Sequence, residues 1–239
     1  MFLPLKDNNP LRVIPFQIVT VGLIAACLTT FLWQISLPDE AEFEAILSFG
    51  MIPAVFFDFE ELPASLAIVP AGATLITSMF MHAGWLHLGG NMLYLWVFGD
   101  NIEDAMGHAK FLVFYLLCGV AATLAHALSD PASISPLIGA SGAISGVLGA
   151  YLLLHPRVRV IVLLFYRIPL PLPAFIVLGG WVALQIYSVY LNGHLPAGQP
   201  AGDDGGTAWW AHIGGFAAGM VLIPFMRRKG TPLFDRGRY

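Results

Sequence analysis

Three short stretches of this 239-residue chain hold side chains suited to attack on a carbonyl. W-L-H-L-G-G-N-M-L-Y places His87 and Asn91 four residues apart, on one face of a helix. I-G-A-S-G-A-I-S-G sets Ser141 between Gly139 and Gly142, with Gly146 one turn further on. W-W-A-H-I-G-G-F-A-A-G sets His212 beside Gly214, Gly215 and Gly219. A serine hydroxyl becomes a competent nucleophile when a base takes its proton, and a neutral imidazole with a pKa of about 7 suits that task. The oxyanion that forms needs preorganised donors. Free N–H groups at a helix N-terminus beginning at Ser141 can serve, as can the Asn91 amide and the His87 ring. No Asp or Glu is placed to orient His212, because Asp100, Glu103 and Asp104 belong to the inner side and the outer acids are all in loops. The expectation is a Ser141–His212 dyad rather than a triad.

The elements that must bring these residues together follow from composition. The chain is 57% hydrophobic and only 11% charged, against about 25% charged in soluble proteins. A mean hydropathy of +0.75 excludes both a soluble globular domain and a disordered chain. The bilayer is the expected solvent. Cys27 and Cys118 lie in apolar runs without the spacing of a zinc or redox pair and read as packing residues. A net charge of −4 with scattered basic residues excludes a nucleic-acid partner.

Crossing about 30 Å of hydrocarbon takes about 20 mainly apolar residues in a helix. Six such runs occur, at Val13–Leu37, Trp85–Gly99, Phe111–Leu128, Ser141–His155, Pro171–Leu191 and Ala208–Met226. The expected fold is all-α, a polytopic bundle of six transmembrane helices with a long outer loop between the first two. The expected organisation is a cytoplasmic segment at 1–12, a membrane domain at 13–226 and a basic cytoplasmic tail at 227–239. The first run exceeds the apolar core of a signal peptide and lacks a clear cleavage site, so it is expected to be retained.

Charge sets the orientation. With the N-terminus inside, the inner segments hold Lys6, Arg12, Lys110, Arg157, Arg159, Arg167, Arg227, Arg228, Lys229, Arg236 and Arg238, which are all eleven Lys and Arg of the chain. The outer segments hold acids alone: Asp39, Glu40, Glu42, Glu44, Asp58, Glu60, Glu61, Asp130, Asp203 and Asp204. A shift by one span would destroy this positive-inside partition, so both termini are expected in the cytoplasm. The stretch Pro38–Gly84 alternates acidic with bulky apolar residues, as either a segment resting in the outer interface or an ordinary extracellular loop would. Asn192–Thr207 is rich in Gly, Pro and Asp and reads as a mobile loop.

In this orientation the second, fourth and sixth spans all run inward, and each carries its polar residue within about two turns of its outer end. Polar groups at that depth are costly and mark function. Gly142 with Gly146, and Gly215 with Gly219, form two small-xxx-small patterns that let helix backbones approach closely beside Ser141 and His212. His108, His126, His155 and His194 lie near span ends or in loops and read as structural or solvated.

Taken in order, these motifs resemble those of the rhomboid intramembrane serine proteases. H-A-G-W-L-H-L-G-G-N, from His82 to Asn91, matches the family's H-x4-H-x3-N pattern; G-A-S-G matches its nucleophile motif; A-H-I-G-G-F-A-A-G, from Ala211 to Gly219, matches its sixth helix; and Glu103 to Gly107 is similar to its E-x-x-x-G region. The resemblance implies Ser141 as nucleophile, His212 as base, His87, Asn91 and the Ser141 amide as oxyanion donors, and His82 as a supporting polar residue near a water-filled entrance. It implies hydrolysis of transmembrane protein substrates without metal, nucleotide or other cofactor, in a plasma membrane of bacterial type, with the site opening to the outer side. Two departures stand out. The first outer loop lacks the family's Trp-Arg pair, and Ser145 occupies the place of an aromatic that packs beneath the histidine, leaving Phe216 or Trp209 as expected substitutes.

Two other functions compete. A non-catalytic relative that binds membrane helices for quality control would be marked by loss of a dyad residue, yet both are present. A small transporter would carry polar groups through the midplane, whereas here they cluster in the outer half.

Overall fold

The computed structural model describes residues 2–164, 167–192 and 208–235. In chain order the elements are β1 (Phe2–Asp7), α1 (Ile18–Gln34), α2 (Asp39–Phe49), α3 (Pro53–Phe56), α4 (Thr74–Thr77) and α5 (Trp85–Met106). They continue as α6 (His108–Ser129), α7 (Ser141–Leu154), β2 (Arg159–Leu164), β3 (Ile168–Pro173), α8 (Ala174–Asn192) and α9 (Trp209–Met226). Helices α6, α8 and α9 are long and apolar enough to cross a membrane, while α1 and α7 are apolar but shorter. The loop expected at Asn192–Thr207, with His194, Asp203 and Asp204, lies outside the described residues from 193 onward, as do Arg236 and Arg238.

An entirely helical reading needs correction. β1, β2 and β3 form an antiparallel sheet in that order, with Leu3 opposite Leu163 and Arg159 opposite Pro173. Arg159–Leu164 is β-branched and aliphatic, the composition that suits a pleated, half-buried surface, and Val160 and Val162 are fully buried. Pro169, Pro171 and Pro173 are tolerated because β3 is an edge strand and needs no donors on its outer side. The fifth apolar helix therefore starts at Ala174 and not at Pro171.

The second apolar helix likewise runs past its expected end at Gly99 to Met106, and its acids explain why. The first N–H groups of a helix have no partner within it, and Gln17 gives α1 no side-chain cap. Glu103, wholly buried, fills that role by accepting from the N–H of Val19 at 2.9 Å and of Thr20 at 2.8 Å, and from the Thr20 hydroxyl at 2.7 Å. Asp104 accepts from the N–H groups of Arg12, Val13 and Ile14 at 2.7–3.0 Å. The chain turns into α6 at Gly107, whose φ of +86° lies in the left-handed region that favours glycine.

Between α1 and α5 the chain is folded rather than slack. Met51 and Leu137 exchange backbone hydrogen bonds of 3.0 and 2.8 Å, and the Gly139 N–H donates to Ser78 at 2.8 Å. The segment leading into α7 is thus pinned. α7 itself is buried along nearly its whole length, as a helix apolar on all sides should be, and packs most extensively on α9 and α6. Its 14 residues span about 21 Å, less than the thickness of a hydrocarbon core.

Candidate active site

Ser141 is the first residue of α7, and its position follows from the glycines around it. Gly139 has a φ of +120°, and a β-carbon there would also lie 2.6 Å from Cε1 of His87, so the ring of His87 rests directly over the peptide that leads to Ser141. The backbones of α7 and α9 meet through the two glycine pairs: a β-carbon on Gly215 would fall on the Gly142 carbonyl, and one on Gly219 on the Gly146 carbonyl. Gly142 and Gly146 in turn face Ala122 and Cys118 of α6, which gives Cys118 a packing position. This contact sets His212, in the first turn of α9, beside Ser141. His212 Nε2 is 2.8 Å from Ser141 Oγ.

The other polar groups arrive from α5 and from the chain just before it. Asn91 is buried and donates one amide N–H to the His87 carbonyl at 3.0 Å, leaving its second N–H for another acceptor. The Ala83 N–H donates to Nδ1 of His87 at 3.3 Å, which places the proton of the neutral ring on Nε2 and makes that edge a donor. His82 is fully buried: its ring packs edge-on to His87 at 5.2 Å, and its backbone is bracketed by Gln34. It does not line the cavity described next.

α5, α7, α8 and α9 enclose a cavity of about 640 Å³ onto which Ser141, His212, His87 and Asn91 all open. Apolar side chains such as Ile144, Leu148 and Val177 form much of its wall. Of the histidines read as structural, His108 bonds Glu103, His155 packs edge-on to Tyr151, and His126 lies in the last turn of α6; none lines this cavity.

Two residues of α8 went unnoticed in the sequence. Gln185 Oε1 is 2.8 Å from Nδ1 of His212, and the ring of Trp181 lies 5.5 Å from the His212 ring, tilted by 42°. Trp181 thus occupies the neighbourhood for which Phe216 or Trp209 was expected; Phe216 packs behind it, 6.3 Å from Trp181. Ser145 offers no ring and donates back to the Ser141 carbonyl at 2.6 Å. The spacing of Trp181 and Gln185, four apart in an otherwise apolar run, was the available signal.

The Rhomboid domain model matches residues 71–229, well over half of the chain and every residue of this site. The chain belongs to the rhomboid family. Its relatives include Rhomboid protein 1, mitochondrial, of Saccharomyces cerevisiae, 33% identical over 157 residues that cover 64% of this chain and 41% of the yeast protein. Rhomboid protease GluP of Bacillus subtilis is 41% identical over 78 residues, 33% of this chain and 15% of GluP. The presenilin-associated rhomboid-like protein, mitochondrial, of Bos taurus is 32% identical over 107 residues, 44% of this chain and 28% of the bovine one. The chain therefore spans about two fifths or less of the length of these rhomboid relatives, which include mitochondrial proteins as well as a bacterial protease.

Proposed function

We propose that this rhomboid is an intramembrane serine protease that hydrolyses peptide bonds in or beside the transmembrane segments of membrane proteins. The observation that carries the reading is the 2.8 Å approach of Ser141 Oγ to His212 Nε2, at a helix N-terminus that opens on a cavity. The Ser141 O–H donates to Nε2; as Oγ bonds to the substrate carbonyl carbon, its proton passes to His212. The carbonyl oxygen takes up negative charge and is met by the Ser141 N–H, the Asn91 amide and the Nε2–H of His87. His212 then gives its proton to the departing amine as the C–N bond breaks. A water molecule, deprotonated by the same ring, hydrolyses the acyl-enzyme and restores Ser141.

The membrane setting belongs to the same proposal. Six spans with both termini cytoplasmic put the N-terminal ends of α7 and α9, and with them the site, toward the outer face of a bacterial-type plasma membrane, and all eleven basic residues then lie inside. The domain division at 1–12, 13–226 and 227–239 follows from these spans.

Labelling of detergent-purified protein with a fluorophosphonate tests the chemistry. Label on the native protein, none on Ser141→Ala or His212→Ala, and loss of cleavage of a model transmembrane substrate in both variants are expected, because a nucleophile and its base act as a unit. Asn91→Ala removes one oxyanion donor and should lower the rate by about 10- to 1000-fold without abolishing it. Full activity in either Ser141→Ala or His212→Ala would refute the mechanism.

A further inference from the structure

We propose that Gln185 is a positioning residue of this site, holding His212 in the one tautomer that can accept the Ser141 proton. The proposal rests on the reading of Ser141 and His212 as nucleophile and base, and adds to it what sets the chemical state of the base.

A neutral imidazole carries its single proton on either nitrogen, and the two tautomers serve opposite roles. With the proton on Nε2, His212 would donate to Ser141 Oγ and could not take its proton. With the proton on Nδ1, the Nε2 lone pair faces Ser141. Among the described residues, no carboxylate is bonded to the His212 ring. The partner of Nδ1 is the side-chain amide of Gln185, at 2.8 Å. An amide oxygen only accepts, so an oxygen at that distance requires N–H on Nδ1.

The outcome depends on which end of the amide faces the ring, and the helix supplies the answer. Gln185 Nε2 points along α8 to the Trp181 carbonyl, one turn back, at 3.4 Å, which leaves Oε1 for His212. Turned over, the amide would offer N–H to Nδ1 and hold the unproductive tautomer. The same turn of α8 places the Trp181 ring beside the imidazole, limiting its rotation. An amide also orients the base without a second ionised group in an apolar cavity, where an unpaired carboxylate is far more costly to bury.

The test combines tautomer spectroscopy with kinetics on the full-length protein in detergent. Nitrogen-15 labelling of the histidines reports which ring nitrogen is protonated, and His212 is assigned by its loss in His212→Gln. Native protein should show Nδ1–H and a bare Nε2; an Nε2–H signature there would overturn the proposal without any variant. Gln185→Leu should mix the tautomers and lower kcat by about tenfold or more, with KM changed less than twofold, and Gln185→Glu, which keeps an acceptor at the same place, should restore a single Nδ1–H tautomer. An unchanged tautomer in Gln185→Leu would overturn the role whatever happens to the rate. If native protein neither cleaves nor takes the fluorophosphonate, the protease reading fails, while the tautomer measurement still decides the part played by Gln185.

Discussion

Gly219 of α9 lies so close to Gly146 of α7 that a β-carbon on the first would fall on the carbonyl of the second. Helices in lipid are held by close packing and gain little from apolar burial, so this contact is a main source of the α7–α9 association. Gly219 is seven residues beyond His212, about 10 Å along the helix. Displacing the backbones there tilts His212 relative to Ser141.

Gly219→Ala is therefore expected to cost about 1–3 kcal/mol as an overpacked substitution and to reduce fluorophosphonate labelling of Ser141 at temperatures where the protein remains folded. Gly89→Ala is the control. Nothing lies within 4 Å of a β-carbon on Gly89, and removing a helical glycine gains about 0.5–1 kcal/mol. Thermal unfolding in detergent, with labelling measured in parallel, separates the two; equal behaviour of both variants would refute the packing account.

The parts of this site that were legible in sequence are those carried by short-range spacing. Gly142 and Gly146, like Gly215 and Gly219, announce a close helix contact, and an intramembrane Ser and His beside them announce what the contact brings together. Gln185 satisfied the same rule that singled out Asn91, an amide in an apolar span, but its partner is 27 residues away on another helix and depends on how α8 is rotated. The sheet was illegible for a related reason. Arg159–Leu164 carries strand-forming residues, yet its partner β1 is more than 150 residues earlier, and prolines in β3 read as loop until the strand is known to be an edge. Glu103 and Asp104 could be placed only on the inner side from sequence, because capping of α1 from α5 is again a long-range fact.

Asp7 provides a pH-dependent contribution to stability. It is buried at the end of β1, where desolvation pushes its carboxyl up to about 6, while the Tyr151 hydroxyl, 2.6 Å away, pulls it partly back. A carboxyl whose pKa is higher folded than unfolded favours the folded state when protonated. Its contribution is complete below the unfolded value of 3.8 and disappears as pH rises through about 6, a swing on the order of 3 kcal/mol. Asp7→Asn, which stays neutral and keeps an acceptor for Tyr151, should flatten the decline in unfolding temperature between pH 4 and 6.5. A native and a variant curve that run parallel over that range would contradict the assignment.

Orientation is open to a direct check. Single cysteines at Glu61 and Lys229, in a background lacking Cys27 and Cys118, should differ in reaction with a membrane-impermeant thiol reagent on intact cells. In the proposed orientation Glu61 falls in the acidic outer stretch and Lys229 in the basic inner set, so the first should label and the second only after the membrane is opened. The reverse pattern would invert the topology and place the cavity on the cytoplasmic side.

Substrate choice should follow from how a helix can present a carbonyl to Ser141. A peptide bond inside a regular helix is shielded by its own hydrogen bonds, which lipid cannot replace, so the substrate must unwind locally before attack. Gly and Pro lower that cost by about 1–3 kcal/mol per residue relative to Ala. Ser141 also sits beside the Gly142–Gly215 contact of α7 and α9, with the His87 ring pressed over Gly139, so a side chain entering there is expected to find little room. Ala or Gly just before the scissile bond should therefore be cleaved, and Phe at that place should not. The measurement is a substrate series in which helix-breaking residues near the outer end become Leu and, separately, the residue before the cleavage point becomes Phe. The first change should lower kcat/KM by about 5- to 150-fold, the equivalent of 1–3 kcal/mol, and the second should lower it as well. Equal rates across the series, with cleavage still dependent on Ser141, would mean that neither helix unwinding nor the narrow approach to Ser141 governs selection.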